Sequence, residues 1–144
     1  MKFSIFNDLK EVDFKLNGDE PKEAIKLALS RAGQQGINLI LDRTADGKDV
    51  KDKAFKPYSK KGWKDGYYGW RKRRSKSTRP NLFDKGHMLG SITSRSNSEQ
   101  ATIFFSTGAE SRKAAFNQKI RPFFGFSRKD KKELAKFFAR NLKV

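Results

Sequence analysis

The sequence predicts an α+β fold, in which a long N-terminal helix and a C-terminal helix pack on an antiparallel sheet and a long basic loop interrupts the chain. Two apolar stripes predict the helices. Apolar residues recur at three- and four-residue steps from Ile25 to Ile40, and again from Leu134 to Leu142. Between the stripes, ATIFFS (101–106) and RPFFGF (121–126) are rich in residues that favour strands. The length of 144 residues fits a single domain, 1–144.

The first elements are two short strands and the long helix. FSIF (3–6) and VDFKL (12–16) predict the strands, with NDLKE as the turn between them. The helix is expected from about residue 20 to 43, with Asp19 as its cap and Pro21 in its first turn. Gly33 and Gly36 each weaken it by roughly 1 kcal/mol relative to Ala. Either they permit close packing of one helix, or the chain forms two helices with a break near Gly33.

Residues 48–80 are expected to form the extended basic loop, because no periodicity is visible there. The stretch 51–80 holds twelve Lys or Arg against two Asp. Loops of this length are usually functional or disordered. We expect this segment to be poorly ordered in the isolated chain and to become ordered when a partner surface receives its aromatic side chains.

The second half of the chain alternates short elements. LFDKGHMLGSITSRS predicts a helical turn capped by Asp84 and then a strand, and SNSEQ predicts the hairpin turn before ATIFFS. SRKAAFNQ (111–118) is either a short helix or a loop, and RPFFGF is expected as a third strand. Ser127 and Asp130 resemble a capping box that opens a helix at 128–142. Five phenylalanines should supply much of the core: Phe123, Phe124, Phe126, Phe137 and Phe138.

The formal charge of +17 indicates an anionic partner, which is nucleic acid, a membrane surface or an acidic protein. The MKFSIFNDLKEVDF start lacks the apolar core of a signal peptide, and no apolar run is long enough to span a membrane. The residues expected to contact DNA or a protein partner are Trp63, Trp70, Arg71, Lys72, Arg73, Arg74, Lys76 and Arg79.

The residues that usually carry enzyme chemistry are scarce. The chain has no cysteine and one histidine, His87, and it lacks the common nucleotide-binding and hydrolase motifs. Asp84 and His87 lie three residues apart but have no third metal ligand nearby in the sequence. We therefore expect no enzyme activity, no cofactor and no metal. A ribonuclease that acts through Lys, Arg and His87 is the enzymatic alternative.

Four stretches in order resemble the phage virion morphogenesis, or tail completion, family. DRTADGKDV…FKPYSKKGW is similar to its DG…W…S element, and LFDKGHMLGSIT to its L-x-D-[ST]-G-x-[LM]-x-x-S-[IL] element. ATIFFSTGAESRKAAFNQ and RPFFGFSRKDKKELAKFF resemble its xxIGTxxxYAxxHQFG and RPFLGLSxxDxxxIxxxL segments. The likeness covers about residues 20 to 142. Lys85 departs from the Ser or Thr of the pattern, and Phe116-Asn117-Gln118 stands for its aromatic–His–Gln piece.

The resemblance implies a structural protein of the virion, assembled in the host cytoplasm, that joins head and tail as a neck, tail completion or tail terminator subunit. It implies a ring homo-oligomer, a hexamer or dodecamer, next to neck, tail or portal-adaptor proteins and around DNA in the lumen, without a membrane. Arg121 and Phe123 of the RPF motif are expected at the subunit interface. The basic loop would contact either DNA or, as we favour, an acidic surface of an adjoining ring.

Aromatic residues interleaved with cations also suit single-stranded nucleic acid, because rings stack on bases while cations follow phosphates. The alternative function is therefore a small basic nucleic-acid-binding module, ribosome-associated or specific for single-stranded DNA or RNA. A solvated loop without any partner is the plainest interpretation of the same residues.

Overall fold

A computed structural model describes the backbone of residues 2–4 and the whole of residues 21–142. The fold is α+β. The strands are β1 (Lys2–Ser4), β2 (Ile92–Ser96) and β3 (Ala101–Phe105). The helices are α1 (Lys22–Ala45), α2 (Gly66–Arg73), α3 (His87–Gly90), α4 (Gly108–Ile120) and α5 (Arg128–Leu142), and a 3₁₀ turn at Trp63–Asp65 precedes α2.

The three strands form an antiparallel sheet in the order β1–β3–β2. Ile92 pairs with Phe105 and Ser96 with Ala101, so the predicted hairpin is confirmed. The Asn97 side chain accepts hydrogen bonds from the backbone N–H groups of Glu99 and Gln100, which closes the turn. Alternate residues of β3 are buried, as expected for a strand with one face on the core.

Helix α1 is continuous, so a break near Gly33 does not occur. A Cβ at Gly33 would approach Oγ of Ser94 on β2 to 3.1 Å, which explains why a small residue is needed where the helix meets the sheet. Pro21 is the N-cap residue rather than part of the first turn. Asp19 and the strand predicted at 12–16 lie outside the described residues.

The core lies between α1, the sheet and α5. Helix α1 packs on both β2 and β3 and also along α5, so it connects the sheet to the C-terminal helix. Four of the five predicted core phenylalanines are buried, and Phe137 is partly buried. Among the described residues no helix is long and apolar enough to cross a membrane.

Three local predictions are wrong. RPFFGF does not form the additional strand predicted for it, because its backbone is bonded by side chains instead of by a neighbouring strand. Helix α3 has Gly86, and not Asp84, as its N-cap residue, and no side chain caps it. Residues 48–80 are not an extended loop throughout, since they contain α2 and a defined 3₁₀ turn.

Candidate interaction surfaces

Arg43, near the end of α1, joins the long helix to the RPFFGFS stretch and to α5. It is buried, it forms an ion pair with Asp130, and it donates to the carbonyls of Phe123 at 2.6 Å and Gly125 at 2.8 Å. Asp130 also accepts from the backbone N–H of Ser127, while Ser127 Oγ accepts from Asp130 N. The predicted capping box is therefore confirmed, and its carboxylate serves both the helix end and the buried arginine.

The Gln118 side chain of α4 holds the same stretch from the other side. Its Oε1 accepts from the backbone N–H groups of Phe123 and Phe124, both at 3.0 Å, and its Nε2 donates to the Phe124 carbonyl. These bonds replace the strand partner that RPFFGF lacks. They also place Phe123 in the core, fully buried, so the prediction that it lies at a subunit interface is wrong.

Arg121 is also buried rather than at a surface. Its guanidinium donates to the carbonyls of Lys56, at 2.7 Å, and Pro57, at 3.0 Å, and lies 4.8 Å from the centre of the Tyr58 ring. Because only 9 % of the residue is exposed, its expected role at a subunit interface is corrected to fixing the 56–58 backbone.

Stacked rings and cations fill the inner side of the basic segment. The Tyr67 ring stacks on Trp70 with centroids 5.4 Å apart and meets the edge of Tyr58 at 5.0 Å. Arg74 lies over Trp70 at 4.3 Å. Tyr58 and Phe55 are buried, so much of this segment packs on its own domain. Internal partners therefore receive several of the rings, and the expectation that 48–80 is poorly ordered in the isolated chain stays a prediction.

Arg71 lies at the centre of this arrangement with 2 % of its surface exposed. It donates to the carbonyls of Ser77, at 2.6 Å, and Phe83, at 3.0 Å, and lies 5.0 Å from the Tyr58 ring centre. Arg71 therefore cannot contact DNA or a partner as predicted, and its replacement would unfold the segment locally instead of testing a surface.

Helix α2 and the turn before it carry four exposed cations next to an exposed tryptophan. We call this set the basic helix surface: Trp63, Lys64, Lys72, Arg73 and Arg74. The Trp63 ring is 76 % exposed, with the Lys64 ammonium 4.4 Å and the Arg73 guanidinium 5.7 Å from its centre. Arg73 also donates to the Lys64 carbonyl at 3.0 Å, which ties α2 to the 3₁₀ turn.

The other predicted contact residues lie at the border of this patch. Trp70 and Lys76 are partly buried, and the Lys76 ammonium is bonded to Asp84. That bond, together with the nearby charges of Lys85 and Arg71, holds the pKa of Asp84 below its ordinary value. Arg79 is exposed, but it donates to the Ala45 carbonyl at the end of α1.

The basic helix surface has almost no internal counter-charge. Within residues 21–142, Lys76 is the one cation of the 51–80 segment that forms an ion pair. Clustered charges of one sign attract a partner of the opposite sign and speed its association. The surface therefore suits an acidic protein face or a phosphate backbone.

A second feature, not predicted from the sequence, is a groove of about 940 Å³ between the 56–61 segment, the 82–88 turn and α4. Its lining includes three exposed apolar side chains, Phe83, Phe116 and Ile120. Five exposed lysines surround them: Lys56, Lys60, Lys61, Lys85 and Lys113. We call this the lysine-rimmed groove. The signal missed was Thr107, an N-cap residue whose side chain accepts from the Glu110 N–H at the start of α4, the helix on which Phe116 and Ile120 lie one turn apart.

Asp84 and His87, the two residues considered above as metal ligands or catalytic groups, both line the lysine-rimmed groove. His87 is exposed at the start of α3, and no three His, Asp or Glu side chains lie together as metal ligands among residues 21–142. Comparison with protein-family models, curated proteins and solved structures gives no match to this chain.

Proposed function

We propose that this chain is a non-enzymatic structural subunit of a phage particle, a ring-forming neck or tail completion protein that joins head and tail. The sequence resemblance is the starting point. The observation that supports it most is that the four resembling stretches, dispersed along the sequence, are hydrogen-bonded into one unit.

Each stretch contributes to that unit. Arg43, at the end of α1 in the DRTADG stretch, donates to the RPFFGF backbone, and Arg121 donates to the backbone of the FKPY stretch. Asn117 of α4 contacts the Met88 sulfur of the GHMLG turn, and Gln118 of the same helix bonds RPFF. These bonds join the four stretches within one fold, which supports the proposal.

In this role the basic helix surface contacts an adjoining ring. Its exposed cations project from a helix that is fixed to the domain by Arg71, so the surface is preformed and gains specificity from charge complementarity. DNA in the lumen is the other anionic neighbour. Tight DNA binding there would slow ejection, so an acidic protein face is the contact we favour.

Location in the particle tests the proposal. Phage particles would be purified from cells that produce this chain, labelled with an antibody against it and imaged by electron microscopy. Label at the neck or tail end supports the structural role. Absence of the chain from gradient-purified particles contradicts it.

A second experiment tests the basic helix surface. In one variant Lys64, Lys72, Arg73 and Arg74 become Gln, and in a matched control Lys129, Lys132, Lys136 and Arg140 on α5 become Gln, an equal charge change on exposed residues. Particle reconstitution should fail or weaken for the first variant only, and its deficit relative to the unchanged chain should be larger at low salt than at high salt, where screening weakens the charged contact in both. Equal assembly by both variants contradicts a role for this surface.

A small nucleic-acid-binding module is the second candidate, favoured by the exposed Trp63 ring between two cations. Such a ring stacks on an unpaired base while Lys64 and Arg73 neutralise phosphate. Fluorescence quenching of Trp63 by oligonucleotides, lost in Trp63→Ala, would support this candidate. Binding of double-stranded and single-stranded DNA with equal affinity, unchanged by Trp63→Ala, would oppose it.

A further inference from the structure

The lysine-rimmed groove exposes large apolar side chains that a monomer has no reason to leave in water. Phe116 is 68 % exposed, Phe83 52 % and Ile120 41 %. Phe116 and Ile120 are four residues apart on α4 and therefore share one side of the helix. Apolar side chains gathered in a groove with a charged rim are typical of a protein–protein contact.

The walls of this groove are fixed before any partner arrives. Arg121 bonds the Lys56 and Pro57 carbonyls of one wall, and Arg71 bonds the Phe83 carbonyl of the other. Both guanidiniums lie about the same distance from Tyr58, 4.8 and 5.0 Å from its ring centre. A preformed groove binds without a large ordering cost.

The charge of the rim defines the occupant. Among the five rim lysines, Lys113 is paired with Glu110 on its own helix, and the one carboxylate in the groove lining, Asp84, is bonded to Lys76. The other four rim lysines have no ion pair within residues 21–142. The occupant must therefore be acidic. It must also carry apolar side chains, because a phosphate backbone would leave Ile120 and Phe116 uncovered.

The sequence of this chain contains a stretch with that composition, NDLKEVDFKLNGDE at 7–20, which lies outside the described residues. It holds five of the 16 acidic residues of the chain against two lysines, with Leu9, Val12, Phe14 and Leu16 interleaved. We propose that the lysine-rimmed groove of one copy binds this acidic segment of the next copy. One groove and one segment per copy give a head-to-tail contact, which is the kind that closes into a ring. This inference rests on the self-assembly in the proposed function.

Two complementary variants test the contact. The groove variant carries Phe116→Ser and Lys113→Glu, and the segment variant carries Asp8→Lys, Glu11→Lys and Asp13→Lys. The matched control, Leu27→Ser with Lys26→Glu, makes the same chemical change at an exposed site on α1. Thermal melts show whether each variant folds. If the groove variant does not fold, a second groove variant with only Lys85→Glu and Lys113→Glu replaces it.

The measurement is molar mass by light scattering over a range of concentrations. Each variant alone should self-associate about tenfold more weakly or worse, as expected for loss of an interface anchor, while the control assembles as the unchanged chain does. A mixture of the groove variant and the segment variant keeps one intact contact and should form a two-chain complex.

The possible results separate this inference from the proposed function. Normal assembly by the groove variant overturns the groove contact and leaves ring formation standing. Loss of assembly in the groove variant but not in the segment variant overturns the choice of occupant. A mixture that gives no two-chain complex overturns docking between copies. A single-chain mass for the unchanged protein at every concentration overturns the ring and this inference together.

Discussion

Replacing Arg43 by Met should destabilise the fold strongly, because it removes the charge that Asp130 depends on. Met has a similar length and fills the space of the arginine stem. The change leaves Asp130, whose side chain is only 9 % exposed, without its counter-charge, and it removes the donors to the Phe123 and Gly125 carbonyls. Breaking one side of a buried ion pair costs about 3–5 kcal/mol.

Urea unfolding followed by circular dichroism measures this cost as a shift in midpoint at constant slope. The control is Arg31→Met on the same helix, where an exposed arginine donates one hydrogen bond to Asn141. It should change the free energy of unfolding by no more than about 0.5 kcal/mol. The double variant Arg43→Met with Asp130→Asn removes the stranded charge and keeps an acceptor for Ser127 N, so it should be more stable than Arg43→Met alone.

The reasoning is refuted if Arg43→Met costs less than about 1 kcal/mol, the net value of an ordinary hydrogen bond. It is also refuted if adding Asp130→Asn lowers stability further, since the charge would then not be the cause.

Three further predictions concern stability. Phe138→Ala should lower the free energy of unfolding in urea by about 3–5 kcal/mol, because the ring lies in the core and is only 3 % exposed. A decrease below about 1 kcal/mol would mean that the buried face of α5 is assigned wrongly. Gly69→Ala should lower the melting temperature, because a Cβ there overlaps the Lys64 carbonyl, whereas Gly90→Ala, with open space around it, should not; equal melting of both would contradict the close packing of α2. Asp84, whose pKa Lys76 lowers, should contribute stability above its ordinary pKa of 3.8 and lose it as the pH falls through the lower folded value. The contribution is small because both side chains of the pair are partly exposed to solvent. Asp84→Asn should therefore lower the urea midpoint slightly at pH 7 and leave it unchanged in strong acid. A larger decrease in acid than at pH 7 would contradict the assigned sign.

The elements with local signals were predictable from the sequence. The α1 and α5 stripes, the hairpin turn and the Ser127–Asp130 capping box all depend on residues within a few positions of one another. RPFFGF misled because strand-forming residues need a neighbouring strand, and here Gln118 and Arg43 supply the hydrogen bonds instead. Such side-chain partners are distant in sequence and leave no periodic signal.

The candidate surfaces were predictable only in part. Composition correctly placed exposed cations at Lys72, Arg73 and Arg74, but it treated Arg71 as equivalent to them. The family resemblance in turn implied that Arg121 lies at a subunit interface. Both are buried because backbone carbonyls and the Tyr58 ring satisfy their guanidiniums, a tertiary effect. The lysine-rimmed groove combines three distant segments, so no single stretch of sequence indicates it.

The central claim is that this chain assembles into a ring, and the molar mass of the purified 144-residue chain tests it most directly. Light scattering should give a mass near six or twelve copies of the 16.5 kDa chain, and the assembly should weaken when salt screens its charged contacts. A mass of one chain at every concentration and salt condition would contradict the account.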